Sequence, residues 1–390
     1  MSGRLRLPAG SALALVIVAA FAPAVEAAGL TFDALAQAAP PSPPAATAPR
    51  AAPAPVPTTR VVRVSREPRA ARATTDTTVV VRRGTRLDLH NFGGGIAIAT
   101  WAKDAVRVQA EHSRRDWIDV RRVDEVLHVQ SMSRLGPAQN VEFRVTLPAW
   151  MPIELTGIYN DVTADGNEGG ISVETVRGDI AVRRAAGAIA LRSVEGLVDL
   201  SDSKGTITVS SVNDAVRLMN VTGTIQAEAV NGDIQLIALS SRNVEATTVN
   251  GAVLFDGRMF DGGTYRFATH NGDIAMGMND RSNATVTVST YAGDFAAPFP
   301  IRLTRTDKGK RFAFVVGNGK ADVELESFQG AIQLFSPGDK AVLRRFAETW
   351  RQNERERTRE FKWIMKGESV HEPGLPDAPD VPPPGSKKGK

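Results

Sequence analysis

The hydrophobic pattern of this chain is short and repeated. Between residues 178 and 236 a glycine returns every nine residues, at Gly178, Gly187, Gly196, Gly205, Gly223 and Gly232, with Asp214 in register. Two aliphatic residues separated by one other residue follow, as in Gly178-Asp179-Ile180-Ala181-Val182, Gly205-Thr206-Ile207-Thr208-Val209 and Gly232-Asp233-Ile234-Gln235-Leu236. Alternation with period two places the aliphatics on one face of a strand. Glycine supplies the positive φ or close backbone approach of a tight corner. Units this short cannot bury their own apolar face, so they must stack on one another.

The true period is twice nine. Thr175-Val176-Arg177-Gly178, Ser193-Val194-Glu195-Gly196, Ser211-Val212-Asn213-Asp214, Ala229-Val230-Asn231-Gly232, Thr248-Val249-Asn250-Gly251 and Thr269-His270-Asn271-Gly272 share a lead that the intervening glycines lack. The spacing is 18 residues and later stretches to 19 and 21, as when loops grow on one face while strand register is kept. Asn-Gly is also a hairpin signal, but an antiparallel meander needs longer strands and no likeness between every second corner. The pattern predicts an all-β fold, a parallel β-solenoid of about 18–21 residues per coil over residues 156–335. Asn213, Asn231, Asn250 and Asn271 should stack as an amide ladder, and Ile180, Val198, Val216, Ile234, Val253 and Ile274 as one aliphatic row.

The flanks read differently. Residues 75–155 hold strand-like but non-repetitive runs, among them Thr78-Val79-Val80-Val81, Leu87-Asp88-Leu89 and Val141-Glu142-Phe143-Arg144-Val145. They predict an N-terminal β cap, as a sheet or as widened first coils, because a bare solenoid end exposes unpaired strand edges. Ser336-Pro337-Gly338-Asp339 reads as the start of a helix over 336–367, with Ser336 as the capping hydroxyl. Val342, Phe346 and Trp350 then form a stripe that could cover the last coil. Residues 368–390 should be a disordered tail.

Residues 1–27 resemble a secretory signal: Arg4 and Arg6, an apolar run from Ala12 to Ala22, and a small-x-small site at Val25-Glu26-Ala27. Residues 28–74, rich in Ala and Pro, should form a disordered, semi-extended linker. The expected location is therefore the periplasm or the cell surface, with no transmembrane span in the mature chain. Net charge is +4, of which the signal segment contributes +1, leaving no nucleic-acid-binding surplus. The basicity is local, with Arg60, Arg63, Arg66, Arg69 and Arg72 at every third residue. A solvated linker explains this spacing, and peripheral contact with anionic envelope polymers or lipid head groups is the alternative.

Cysteine is absent, which excludes disulfides, thiolate metal sites and cysteine nucleophiles. The five histidines, at 90, 112, 128, 270 and 371, match no metal or triad spacing. Asp179, Asp233, Asp273 and Asp294 follow glycines but lack the Gly-Gly-x-Gly-x-Asp arrangement of repeat calcium sites, and Asp after Gly is an ordinary turn residue. Outward positions such as Ala181, Asp199, Thr208, Arg217, Gln226 and Gln235 form no paired-carboxylate cleft, and no Trp occurs from 151 to 349. No catalytic, cofactor-binding or metal-ligating residue is assigned.

The run Val81-Arg82-Arg83-Gly84-Thr85-Arg86-Leu87-Asp88-Leu89-His90-Asn91-Phe92-Gly93-Gly94-Gly95-Ile96, the strand ending Leu147-Pro148 and the later Val-Asn-Gly-Asp-Ile segments resemble a bacterial family of domains of unknown function described as putative adhesins, over roughly residues 75 to 335. The resemblance implies an exported β-solenoid with no catalytic residues to carry over. The expected role is a non-enzymatic envelope protein presenting an extended β face to a protein or glycan. A self-assembling scaffold and a polysaccharide-active β-helix enzyme are the alternatives.

Overall fold

The computed structural model describes residues 72–306, 311–346 and 348, all within the unit Ser65–Lys390. The signal segment, the linker with Arg60, Arg63, Arg66 and Arg69, and the chain from Trp350 onward lie outside the described residues.

The chain opens with β1 (Arg72–Val80), β2 (Arg86–Trp101), β3 (Ala105–Ser113), β4 (Asp116–Val123), β5 (Val126–Ser133), β6 (Glu142–Pro148) and β7 (Ile153–Asp165). The regular section follows as β8 (Ile171–Arg177), β9 (Ile180–Arg183), β10 (Ala186–Glu195), β11 (Val198–Ser201), β12 (Lys204–Ser211), β13 (Val216–Met219), β14 (Thr222–Ala229), β15 (Ile234–Asn250), β16 (Val253–Arg258), β17 (Thr264–Asn271) and β18 (Ile274–Gly277). The far end comprises β19 (Ala284–Thr290), β20 (Phe295–Ala296), β21 (Leu303–Thr306), β22 (Arg311–Val316), β23 (Ala321–Gln329) and β24 (Ile332–Phe335).

Each coil gives one strand to each of two parallel sheets. In the first, β8, β10, β12, β14, the second half of β15, and β17 pair in succession. In the second, β9, β11, β13, the first half of β15, β16 and β18 do the same. Pairing is in register at the predicted row: Ile180, Val198, Val216, Ile234, Val253 and Ile274 are consecutive partners, and all are fully buried. A matching row, Leu191, Val209, Ala227, Ala246 and Phe267, lines the first sheet. Where the coil widens, Phe255, Tyr265 and Phe267 fill the space, with ring centroids 5.1 and 5.6 Å apart.

The corner glycines exist for two reasons. Gly205 and Gly223 have φ of +138° and +130°, and a Cβ on either would lie 1.9 Å from the carbonyl oxygen of the coil before. Gly196 has no positive φ, yet its Cβ would meet the Gly178 oxygen at 1.9 Å, so close backbone stacking alone demands glycine there.

Both ends depart from chain order. At the start, β2 and β7 each run through a corner and serve both sheets, and β2 sits between β7 and the later β5 and β6. Residues 75–155 are thus partly widened coils, edged by the antiparallel β4 against β5 and by β3 and β1 beside β6. β1 begins at Arg72, so the last of the five arginines lies in a strand paired with β3 by ladder hydrogen bonds, inside the span 28–74 expected to be linker. At the far end β23 inserts between β17 and β19, and β24 between β18 and β20, while β22 and β21 add to β19 antiparallel.

The C-terminal helix corrects two expectations. Residues 340–346 and 348 are helical, and the cap is Asp339, whose Oδ1 accepts the Ala341 N–H at 2.8 Å, in place of Ser336. Gly338, at φ +75°, donates its N–H to the Asp256 carboxylate at 3.2 Å and makes the sharp turn that delays the helix. The described residues of the helix lie along the outer face of the second sheet and not over the end of the last coil. Val342, Leu343 and Phe346 pack on Leu254, Ala275 and Phe335, and Gln235 donates to the Phe346 carbonyl at 3.2 Å. Successive coils present Leu254, Ala275 and Phe335 outward, so the apolar stripe finds its partner on the flank.

Candidate functional site

The most distinctive surface is the corner leading from the first sheet to the second, built by the small-Val-polar lead. Its first residue points inward: Ser193, Ser211, Thr248, Thr269 and Ser327 are buried, and each hydroxyl donates to the glycine carbonyl of the preceding coil at 2.9–3.1 Å. These bonds satisfy carbonyls that a tight corner leaves unpaired.

The second residue points to solvent. Ile158, Val176, Val212, Val230 and Val249 are 38–47% exposed, and Val194 lies in the same row. The insertion of β23 continues this row as His270, Phe328 and Tyr291, whose rings stack at 4.6 and 4.9 Å with planes 5° and 12° apart. Phe92 and Tyr159 form an edge contact at the other end, 5.6 Å between centroids. The result is an apolar ridge roughly 40 Å long, at about 4.8 Å per rung, against the usual rule that large apolar side chains are buried where they line up.

The third residue forms a polar rail beside the ridge. Asn231 donates to Asn213 at 3.0 Å, Asn250 to Asn231 at 2.8 Å, and Asn271 to Asn250 at 2.7 Å, the predicted ladder. Earlier in the row Arg177 pairs with Glu195 at 2.5 Å and lies 5.7 Å over the Tyr159 ring. The aspartates after the glycines serve the backbone: Asp179, Asp233 and Asp273 accept N–H bonds from Leu197, Ala252 and Ala331 at 2.8–2.9 Å.

The shared lead marks the valine and asparagine rows along the chain, but not the continuation of the valine row through the ring of His270. Its signal was present in Ser327-Phe328-Gln329-Gly330 and Thr290-Tyr291-Ala292-Gly293, which repeat the lead. On the outer face the Asp88 carboxylate is 2.9 Å from His90 Nε2 and 2.8 Å from His128 Nδ1, a grouping that no spacing in the sequence announces.

Stacked parallel coils with hydroxyl, valine and amide rows define a β-solenoid. The sequence profile of the family described as Toastrack DUF4097 matches residues 138–334, just over half of the chain, and the chain belongs to that family. No curated protein matches it. Among solved structures it is similar to a putative adhesin from Bacteroides fragilis (14% identity, 68% of this chain and 99% of that one, TM-score 0.36). It is also similar to a putative adhesin from Parabacteroides distasonis (8%, 67% and 97%, TM-score 0.38) and to a putative cell adhesion protein from Clostridium sporogenes (10%, 67% and 99%, TM-score 0.20). Superpositions this loose carry no argument about function. Among the described residues, no helix is long and apolar enough to cross a membrane.

Proposed function

We propose that this protein is a non-enzymatic, exported envelope or surface protein that presents the corner ridge to an extended protein or glycan partner. The observation that carries this reading is the row from Ile158 to Tyr291, half-buried at Val194 and exposed at the other positions, beside a hydrogen-bonded amide rail. A rigid ladder of this kind offers apolar contact at fixed spacing, with little side-chain entropy to lose because valine is stiff at χ1. Export rests on the signal-like residues 1–27, and N-terminal sequencing of the mature protein should begin at Ala28. The scaffold alternative is disfavoured because both ends carry antiparallel strands in place of the parallel register that another coil would need.

The test is retention from envelope extract by the immobilised mature chain. Val176→Lys, Val212→Lys and Val230→Lys together should abolish retention while leaving the melting transition within about 1 kcal/mol of wild type, as surface changes do. Thr206→Lys with Thr224→Lys, on the exposed face of the first sheet, should leave retention intact. Retention that ignores the ridge variant would refute the reading, as would the absence of any retained component.

A further inference from the structure

The opposite corner, where the chain passes from the second sheet back to the first, holds the added residues of the longer coils. There the loop after β16 and the loop after β18 enclose a cleft of about 370 Å³, lined in part by Arg258, Phe260, Asp261, Arg281, Ser282 and Asn283. That volume falls in the range of small-ligand sites, and repeat proteins commonly place such insertions on a binding face.

Its charge is unbalanced. Asp261 is already committed, to Lys320 Nζ at 2.9 Å and Asn283 Nδ2 at 3.2 Å, and the Lys320 hydrogen bond, followed by that of Asn283, holds its carboxyl below the usual carboxylate range. Asp256, two residues before Arg258 on β16, accepts the Gly338 N–H. Arg258 and Arg281 have no ion-pair partner among the described residues. Arg258 lies 4.9 Å over the Phe260 ring and Arg242 5.6 Å from it, so the phenyl positions the guanidinium without neutralising it. Tyr265 fixes the loop: its hydroxyl accepts the Phe260 N–H at 2.9 Å and donates to the Ser241 carbonyl at 2.8 Å.

We infer that this cleft binds an oxyanion, with Arg258 and Arg281 as its two guanidinium clamps. A guanidinium fork matches a carboxylate or a phosphate, and a cleft with two uncommitted forks and a neutralised carboxylate favours either over a cation. The source of the oxyanion is an acidic sugar or a phosphate ester, and the ridge takes no part in its binding.

Titration of the full chain with inorganic phosphate and, separately, with glucuronate, each against sodium chloride at equal ionic strength, reads this directly by calorimetry and by the shift in melting temperature. Saturable binding of at least one is expected. Phosphate alone identifies a phosphate ester as the source, glucuronate alone a sugar carboxylate, and both an unselective oxyanion site. Arg281→Gln, on an exposed loop, should weaken binding at least tenfold, and Arg258→Gln with Arg281→Gln should remove it, both with the ligand-free melting temperature unchanged. Failure of both anions to bind beyond the chloride control overturns the inference, as does binding that survives the double variant.

Discussion

The amide ladder allows a prediction whose size can be worked from connectivity. Asn213 takes part in one ladder bond, accepting from Asn231, whereas Asn231 both donates to Asn213 and accepts from Asn250. A neutral side-chain hydrogen bond contributes a net ~0.5–1.5 kcal/mol, and these exposed bonds belong in the lower half of that range. Asn213→Ala should then cost about 0.5–1 kcal/mol and Asn231→Ala about 1–2 kcal/mol. Because the only ladder bond of Asn213 is to Asn231, removing both side chains should cost no more than Asn231→Ala alone. The double-mutant cycle should therefore give a coupling of about 0.5–1 kcal/mol. Asn231→Asp keeps the acceptor for Asn250 but turns a carboxylate oxygen toward Asn213 Oδ1, so it should be at least as harmful as alanine at pH 7. Urea denaturation followed by circular dichroism measures all four variants against wild type. Strictly additive single effects, or equal costs at the end and the middle of the ladder, would refute the ladder as an energetic unit and reduce it to a by-product of strand register.

Val216→Ala, in the fully buried row, should cost about 1–3 kcal/mol by denaturation, less than a leucine truncation because fewer carbons leave. Tyr265→Phe strips partners from the Phe260 N–H and the Ser241 carbonyl and should cost about 1–3 kcal/mol, while also weakening phosphate or glucuronate binding through the loosened loop. Asp76, tied to Arg107 at 2.9 and 2.5 Å, has its carboxyl held below the ordinary value of 3.8, chiefly by that hydrogen bond. Its contribution is complete above that value and fades as pH falls through the lower folded value, so wild type and Asp76→Asn should differ in denaturation midpoint at pH 7 and converge in strong acid. Phe346→Ala uncovers part of the flank at Leu254 and Ala275 and should cost about 1–2 kcal/mol, since the ring is only partly buried; an unchanged melting temperature would show that the helix is not held there.

The middle of this protein is legible residue by residue because, in a solenoid, the spatial neighbours of a side chain are its own equivalents one coil away. An 18-residue interval therefore becomes a contact: Val198 beneath Val216, Asn213 beneath Asn231. Period-two alternation fixes which face is buried, and a corner that stacks backbone on backbone admits little but glycine. The ends escape this logic. Nothing local in Thr269-His270-Asn271 or Thr290-Tyr291-Ala292 says that Phe328 will lie between them. That order depends on β19 forming the outer coil and β23 entering beneath it, a choice of sheet edge made by strands far apart in the chain. The helix escapes for the same reason: its apolar stripe shows that it must dock, but only the coils stacked beneath it present Leu254, Ala275 and Phe335 together on one outer flank. Repetition writes nearest-neighbour contacts into the sequence, whereas contacts between non-equivalent segments are set by which surfaces remain uncovered once the coils have stacked.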